Sequence, residues 1–134
     1  MSKVYRTREG SVTAVDTRTQ LSTLGSETAP GPLLVPQGKT KLVQIIVAAI
    51  GNMAAATSYS SFVRLEGPGL PEGPESFAVM AGGQAVATGG NAVASAVVIK
   101  CDITVTPANE ILIFSEMCGT DIGTLETAVT LVFE

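Results

Sequence analysis

Three carboxylates, Glu116, Asp121 and Glu126, are the side chains of this sequence best spaced for chemistry. They flank CGTDIGT (Cys118 to Thr124), and a turn there would let them converge on a calcium ion or act as an acid/base pair. The structural alternative is that Asp121 caps its own turn while Glu116 and Glu126 are solvent-facing strand positions. That alternative is the expectation, so no metal site and no catalytic residue are assigned. Histidine is absent, which removes Ser-His-Asp and Cys-His couples, imidazole zinc sites and the usual neutral-pH general base. The Gly82-Gly83 and Gly89-Gly90 pairs lack the spacing of a phosphate-binding loop. No cofactor and no enzymatic activity are expected.

The two cysteines are also expected to be chemically quiet. If TPA (Thr106 to Ala108) closes a hairpin, Cys101 faces Ile113 and Cys118 lies opposite Ala96 on the reverse face. Shifting the register by one puts both thiols on one face, but about 13 Å apart, whereas a disulfide needs Cα atoms within about 7 Å. Two unpaired thiols fit a reducing compartment. Lys100 and Asp102 are i,i+2 neighbours and read as a solvated pair of small energetic consequence.

The elements that would carry these residues are strands. VVIKCDITV (Val97 to Val105) puts Val97, Ile99, Cys101, Ile103 and Val105 on one face, the period of two of a half-buried strand. Ile111 to Met117 is a second strand. Leu125, Thr127, Val129, Leu131 and Phe133 share the face of a third, and only Val132 breaks the polar side. Thr40 to Ile50 is apolar on both faces. Its run of β-branched residues at 45–47 and the Gly51-Asn52 that follows favour a strand over a helix, one that must be central or covered by a neighbour. Thr57 to Glu66 sets Tyr59, Val63 and Leu65 against Ser60, Phe62, Arg64 and Glu66. Ser11 to Thr17 and Ser76 to Met80 are shorter strands; the Pro-rich stretch 28–38 is extended or polyproline-like, and the Pro/Gly-rich stretch 67–75 is a surface excursion. GGQAVA and GGNAVA form a two-copy repeat, read either as Gly-Gly bends or as bare backbone that another chain can approach.

Seven to eight strands, Gly/Pro turns and almost no helix specify an all-β antiparallel sandwich. Its long connections suit a jelly-roll or other Greek-key order. Residues 1–10 are expected to form an N-terminal arm or edge strand, and 11–134 a single sandwich domain.

Composition bounds the function. Charged residues make up 15% of the 134 residues and hydrophobic ones 46%, against about 25% and 45–50% in ordinary domains. So little charge leaves a poorly solvated exterior, part of which is expected to be buried against other subunits. The net charge is −4. Residues 1–18 carry Lys3, Arg6, Arg8 and Arg18 against Glu9 and Asp16, a net +2, and the remainder a net −6. Such an arm is too weakly basic to indicate nucleic-acid binding. The opening decapeptide is polar where a signal peptide would turn apolar, and no apolar run reaches the roughly 18 residues of a membrane span. The expectation is a protein made in a cytoplasm.

The mildly basic opening MSKVYRTREG, the stretch LLVPQGKTKLVQIIVAAIG and the closing run ITVTPANEILIFSEMCGTDIGTLETAVTLVFE resemble the small single jelly-roll coat and decoration proteins of viral particles, over about half of the chain. The resemblance implies a coat or cement role in a virion assembled in the host cytoplasm. Its partners would be copies of itself, as a trimer or larger shell, and other virion proteins. Contacts are expected at the arm (Lys3, Tyr5, Arg6, Arg8), at the loop leucines Leu33, Leu34 and Leu70, and at Gly82, Gly83, Gly89 and Gly90. The alternative from another class is a carbohydrate-type ligand-binding sandwich, weakened by an aromatic content of only 4%.

Overall fold

The structure, a computed structural model, describes the backbone of residues 2–12, 18–21, 31–53, 58–71, 77–84, 91–118 and 122–134. Side chains are described within these spans except at 51–53, 58–61, 77–84, 91–95, 117–118 and 122–125. Among the described residues the chain forms nine strands and no helix. They are β1 (Val4–Val12), β2 (Thr19–Gln20), β3 (Leu33–Leu34), β4 (Lys41–Met53), β5 (Ser58–Glu66), β6 (Phe77–Gln84), β7 (Asn91–Thr104), β8 (Glu110–Cys118) and β9 (Ile122–Phe133).

Two antiparallel sheets result. The front sheet has the order β1-β9-β4-β7 and the back sheet β2-β8-β5-β6, with β3 also on β8. β2 and β3 lie along the same edge of β8, opposite Phe114–Ser115 and Glu110–Ile111. Together they stand in for one strand, which gives four strand positions per sheet. This is the jelly-roll order anticipated from the sequence.

One local expectation fails. The last three long strands are not successive hairpins: β7 pairs with β4, β8 with β5, and β9 with β1 and β4. Each step from β6 to β9 therefore switches sheets. The TPA connection has its backbone groups taken by other loops instead of by a hairpin ladder. Val105 N donates to Thr40 O, Thr106 N to Gly69 O and Ala108 N to Val35 O. The physical reason lies in the shared alternation of these strands. Each has one apolar face, and stacking two such faces across a sandwich buries both, whereas side-by-side pairing buries neither.

The core lies between the sheets. From the front come Leu42, Ile45, Val47, Val129, Leu131 and Phe133; from the back, Leu21, Leu33, Val63, Leu65, Ile111 and Ile113. Val97, Ile99, Cys101 and Ile103 of β7 pack against it while only half-buried. The pairing of β4 shifts between Leu42 and Gln44. That irregularity lets Leu42 and Ile45, an odd number of residues apart, both face inward.

Candidate assembly surface

The alternation that buries one face of the front sheet determines what the other face shows. β4 sits between β9 and β7, the central position its two-sided apolarity requires, yet nothing in the described chain covers its outward side. Register places Thr7, Thr130, Ile46 and Val98 in one transverse row and Glu9, Ala128, Ala48 and Ala96 in the next. Ser11, Glu126 and Ile50 follow. The Thr7 and Thr130 hydroxyls meet at 2.9 Å, which fixes the two on the same side. Val98 is 55% and Ile50 47% exposed, and Ala48 and Ala96 are exposed between them. Ala48 and Ala128 floor a shallow depression of about 480 Å³, bordered by Ile50 on one side and by Glu9 and Glu126 on the other. These rows present alanine, valine, isoleucine and threonine, with Glu9 and Glu126 on the β1/β9 side and the Lys41–Asp102 pair farther along β7, a composition that suits close packing more than hydration.

Both edges of the front sheet are long strands. β7 runs for 14 residues and β1 for 9; at this length an unprotected edge offers a ladder to another strand. The predicted arm is thus the edge strand β1, held to β9 from Val4 to Val12. Its side chains divide between the two sides. Tyr5, 55% exposed, faces out with the apolar rows. Arg6 and Arg8 turn toward a groove of about 440 Å³ whose far wall is Pro32, Leu34, Val35 and Pro36. Leu34 is 54% exposed there. Lys3 is exposed at the start of the strand.

The structure separates the other contact candidates. Leu33 and Leu70 are not surface residues: they are 0% and 3% exposed and belong to the core. Their flanking prolines and glycines lent them a loop character that the burial of their side chains overrides. Gly82 and Gly83 form no bend. They lie within β6, opposite Ser60 and Tyr59 of β5. Gly89 and Gly90 lie outside the described residues, as do most of the expected Ser11–Thr17 strand and Asp121.

Of the three carboxylates, the two described ones, Glu116 and Glu126, do not converge. Ser115 of β8 and Thr127 of β9 are both buried between the sheets and in contact. Their neighbours Glu116 and Glu126 therefore point away from opposite outer faces of the sandwich. Among the described residues no group of three acidic, cysteine or histidine side chains could hold a metal ion. Asp102 pairs with Lys41 across the ladder, at 3.1 Å, in place of Lys100. Cys101 is a free thiol whose Sγ donates to Leu42 O at 3.4 Å. Cys101 and Cys118 lie on strands of different sheets, so the hairpin register does not apply to them.

The back sheet's outer face is more polar. Arg18 lays its guanidinium over the Phe114 ring at 4.2 Å and is ion-paired with Glu66. Phe62, 41% exposed, borders a groove of about 240 Å³ with Arg64 and Glu116. This cluster is not among the residues expected from the sequence to form a site. Its signal was present in the outward set Phe62, Arg64 and Glu66.

No protein-family model matches the chain, and no curated protein matches it in sequence. Among solved structures it is similar to Eiger TNF from S. frugiperda, with 10% identity, a TM-score of 0.54 and coverage of 98% of this chain and 92% of that one. At that identity the likeness concerns the fold, and the fold agrees with the strand order above. A Bacillus endospore appendage, from a novel family of disulfide-linked pili, aligns at 12% identity and TM-score 0.38, covering 98% of this chain and 88% of that one. A structure of infectious bursal disease virus, Gx strain, aligns at 14% and 0.32, covering 96% of this chain and 33% of that one.

Proposed function

We propose that this protein is a self-assembling structural subunit, a virion coat or capsid-decoration protein, that works through contacts between copies of itself and carries out no reaction. The observation that carries the reading is the uncovered outer side of β4. A central strand places half-buried Ile46 and exposed Ala48 and Ile50 in the middle of a face that no described element covers. Val98 and Tyr5 extend the apolar surface to both edges. Burying this face against another subunit, as a trimer or within a larger shell, removes it from water and accounts for a chain with so little charge. Such a subunit is made in the host cytoplasm and ends in the particle, with other virion proteins as further partners. Electron microscopy of the native protein tests this. Closed rings or shells with the front sheet at the contacts are expected, and dispersed single 13.7 kDa units would oppose it.

A carbohydrate-type binding module is the second reading, and Phe62 on the back face is the observation in its favour. Arg18 already occupies the ring of Phe114, which leaves little aromatic surface for a sugar to stack on. A glycan-array signal competed by free sugar and lost in Phe62→Ala would establish this reading in place of assembly.

A further inference from the structure

β1 carries two arginines for which no carboxylate is provided among the described residues, although acids outnumber bases twelve to eight in the sequence. Arg18 is paired with Glu66 and Lys41 with Asp102. Arg6, by contrast, donates from Nη1 to Tyr5 O at 3.1 Å. Arg8 donates from Nη1 to Thr7 O at 2.9 Å and from Nη2 to Pro32 O at 3.4 Å, and its buried Nε has no acceptor. Carbonyl oxygens leave most of the charge of both guanidiniums unanswered, and a guanidinium fork is shaped for a carboxylate.

The two arginines stand two residues apart on an edge strand, on the same side and roughly 7 Å from one another. The rest of the groove is mostly apolar, lined by Pro32, Leu34, Val35, Pro36 and Ala108, with Gln37 as its other polar side chain. On the far side of β1 no strand is paired among the described residues.

We propose that the β1 edge is a docking site for an extended acidic segment of a different protein. The segment adds to β1 as a strand and places carboxylates at alternate positions opposite Arg6 and Arg8. Copies of this chain cannot fill the site in this way, because its sequence contains no two acidic residues spaced i,i+2. The segment's carboxylates meet the guanidiniums on the groove side, and Leu34 shields their methylene stems. The site is separate from the front face, so it stands whether or not that face is an assembly contact.

Fluorescence anisotropy of the full chain with a labelled nine-residue peptide of alternating valine and glutamate tests the proposal. The expected results are saturable binding weakened by added salt, and about a tenfold or greater loss in Arg6→Ala. Arg6 is exposed, so that variant keeps its fold. Arg8→Lys, which retains the charge and loses the fork, also binds more weakly. A peptide N-methylated at alternate amides keeps its carboxylates but cannot complete the ladder, and is expected not to bind. The proposal is overturned if the valine–glutamate peptide does not bind, or if Arg6→Ala binds it unchanged. Equal binding by the N-methylated peptide, by a valine–lysine peptide or by a single-stranded oligonucleotide overturns it too.

Discussion

Ser115 Oγ donates to Thr127 Oγ1 at 3.3 Å in the middle of the sandwich, where the two residues are 1% and 2% exposed. One belongs to the back sheet and the other to the front, so this polar contact joins the two layers amid their apolar core. It also orients what lies beside it, sending Glu116 and Glu126 to opposite outer faces. Thr127→Val keeps the side-chain shape and removes the hydroxyl, at an expected cost of about 1 kcal/mol. Urea denaturation of Thr127→Val, Ser115→Ala and the double variant should return a coupling of about 0.5–1.5 kcal/mol. Strict additivity would mean that the two hydroxyls do not interact.

Gly67 ends β5 with φ at +116°, and a Cβ built there would meet Glu110 O at 2.7 Å. Gly38 also has a positive φ, +78°, but a Cβ there meets nothing within 4 Å. Gly38→Ala therefore carries the backbone penalty alone, about 1–2 kcal/mol. Gly67→Ala adds a clash with a backbone carbonyl that accepts a hydrogen bond from Gly69 N. Its expected cost is larger, about 3 kcal/mol. Thermal melts of the two variants should rank them in that order, and equal losses would show that the loop yields without resistance.

Much of this architecture was legible because alternation survives in each long strand. Thr127, Val129, Leu131 and Phe133 share a buried face as their spacing requires, and Val97, Ile99, Cys101 and Ile103 share the inward side of β7. Strand partners were harder to read. A three-residue connection such as Thr106 to Ala108 can close a hairpin or bridge two sheets. The choice depends on Val35, Thr40 and Gly69, distant residues whose carbonyls take the N–H groups of Ala108, Val105 and Thr106. The burial of Leu33 and Leu70 is hidden in the sequence for a related reason. Proline and glycine neighbours mark a loop but do not reveal which of its side chains turns inward. The front face was legible only in part: a strand apolar on both sides called for cover, but its row-mates Ala96, Ala128 and Val98 depend on register. Arg6 and Arg8 were picked out as contact residues, and the groove beside them required the fold.

Cys101 offers a pH-dependent reading of the half-buried side of β7. Burial, and secondarily the adjacent Asp102 carboxylate, push its thiol above the ordinary value of 9.0. The folded state thus favours the protonated thiol. Its contribution to stability is complete below pH 9.0 and is lost as pH rises through the folded-state value. Urea midpoints of the wild type should fall from pH 8 to pH 10.5 by more than those of Cys101→Ser, which has no thiol to ionise. In a Cys118→Ser background, alkylation by iodoacetamide at pH 8 should be slower in the folded chain than in urea. Identical pH slopes and identical alkylation rates would place Cys101 in open solvent.

In the proposed assembly, the outer face of the front sheet is covered by another copy. Sedimentation velocity at tens of micromolar, on the wild type and on Ala48→Arg, tests it most directly. Ala48 is exposed in the single chain, so an arginine there leaves the fold intact while placing bulk and charge in the middle of the face. The expected result is a wild-type mass several times 13.7 kDa and a folded Ala48→Arg variant at 13.7 kDa. A wild type sedimenting at 13.7 kDa, or a variant assembled as fully as the wild type, would contradict it.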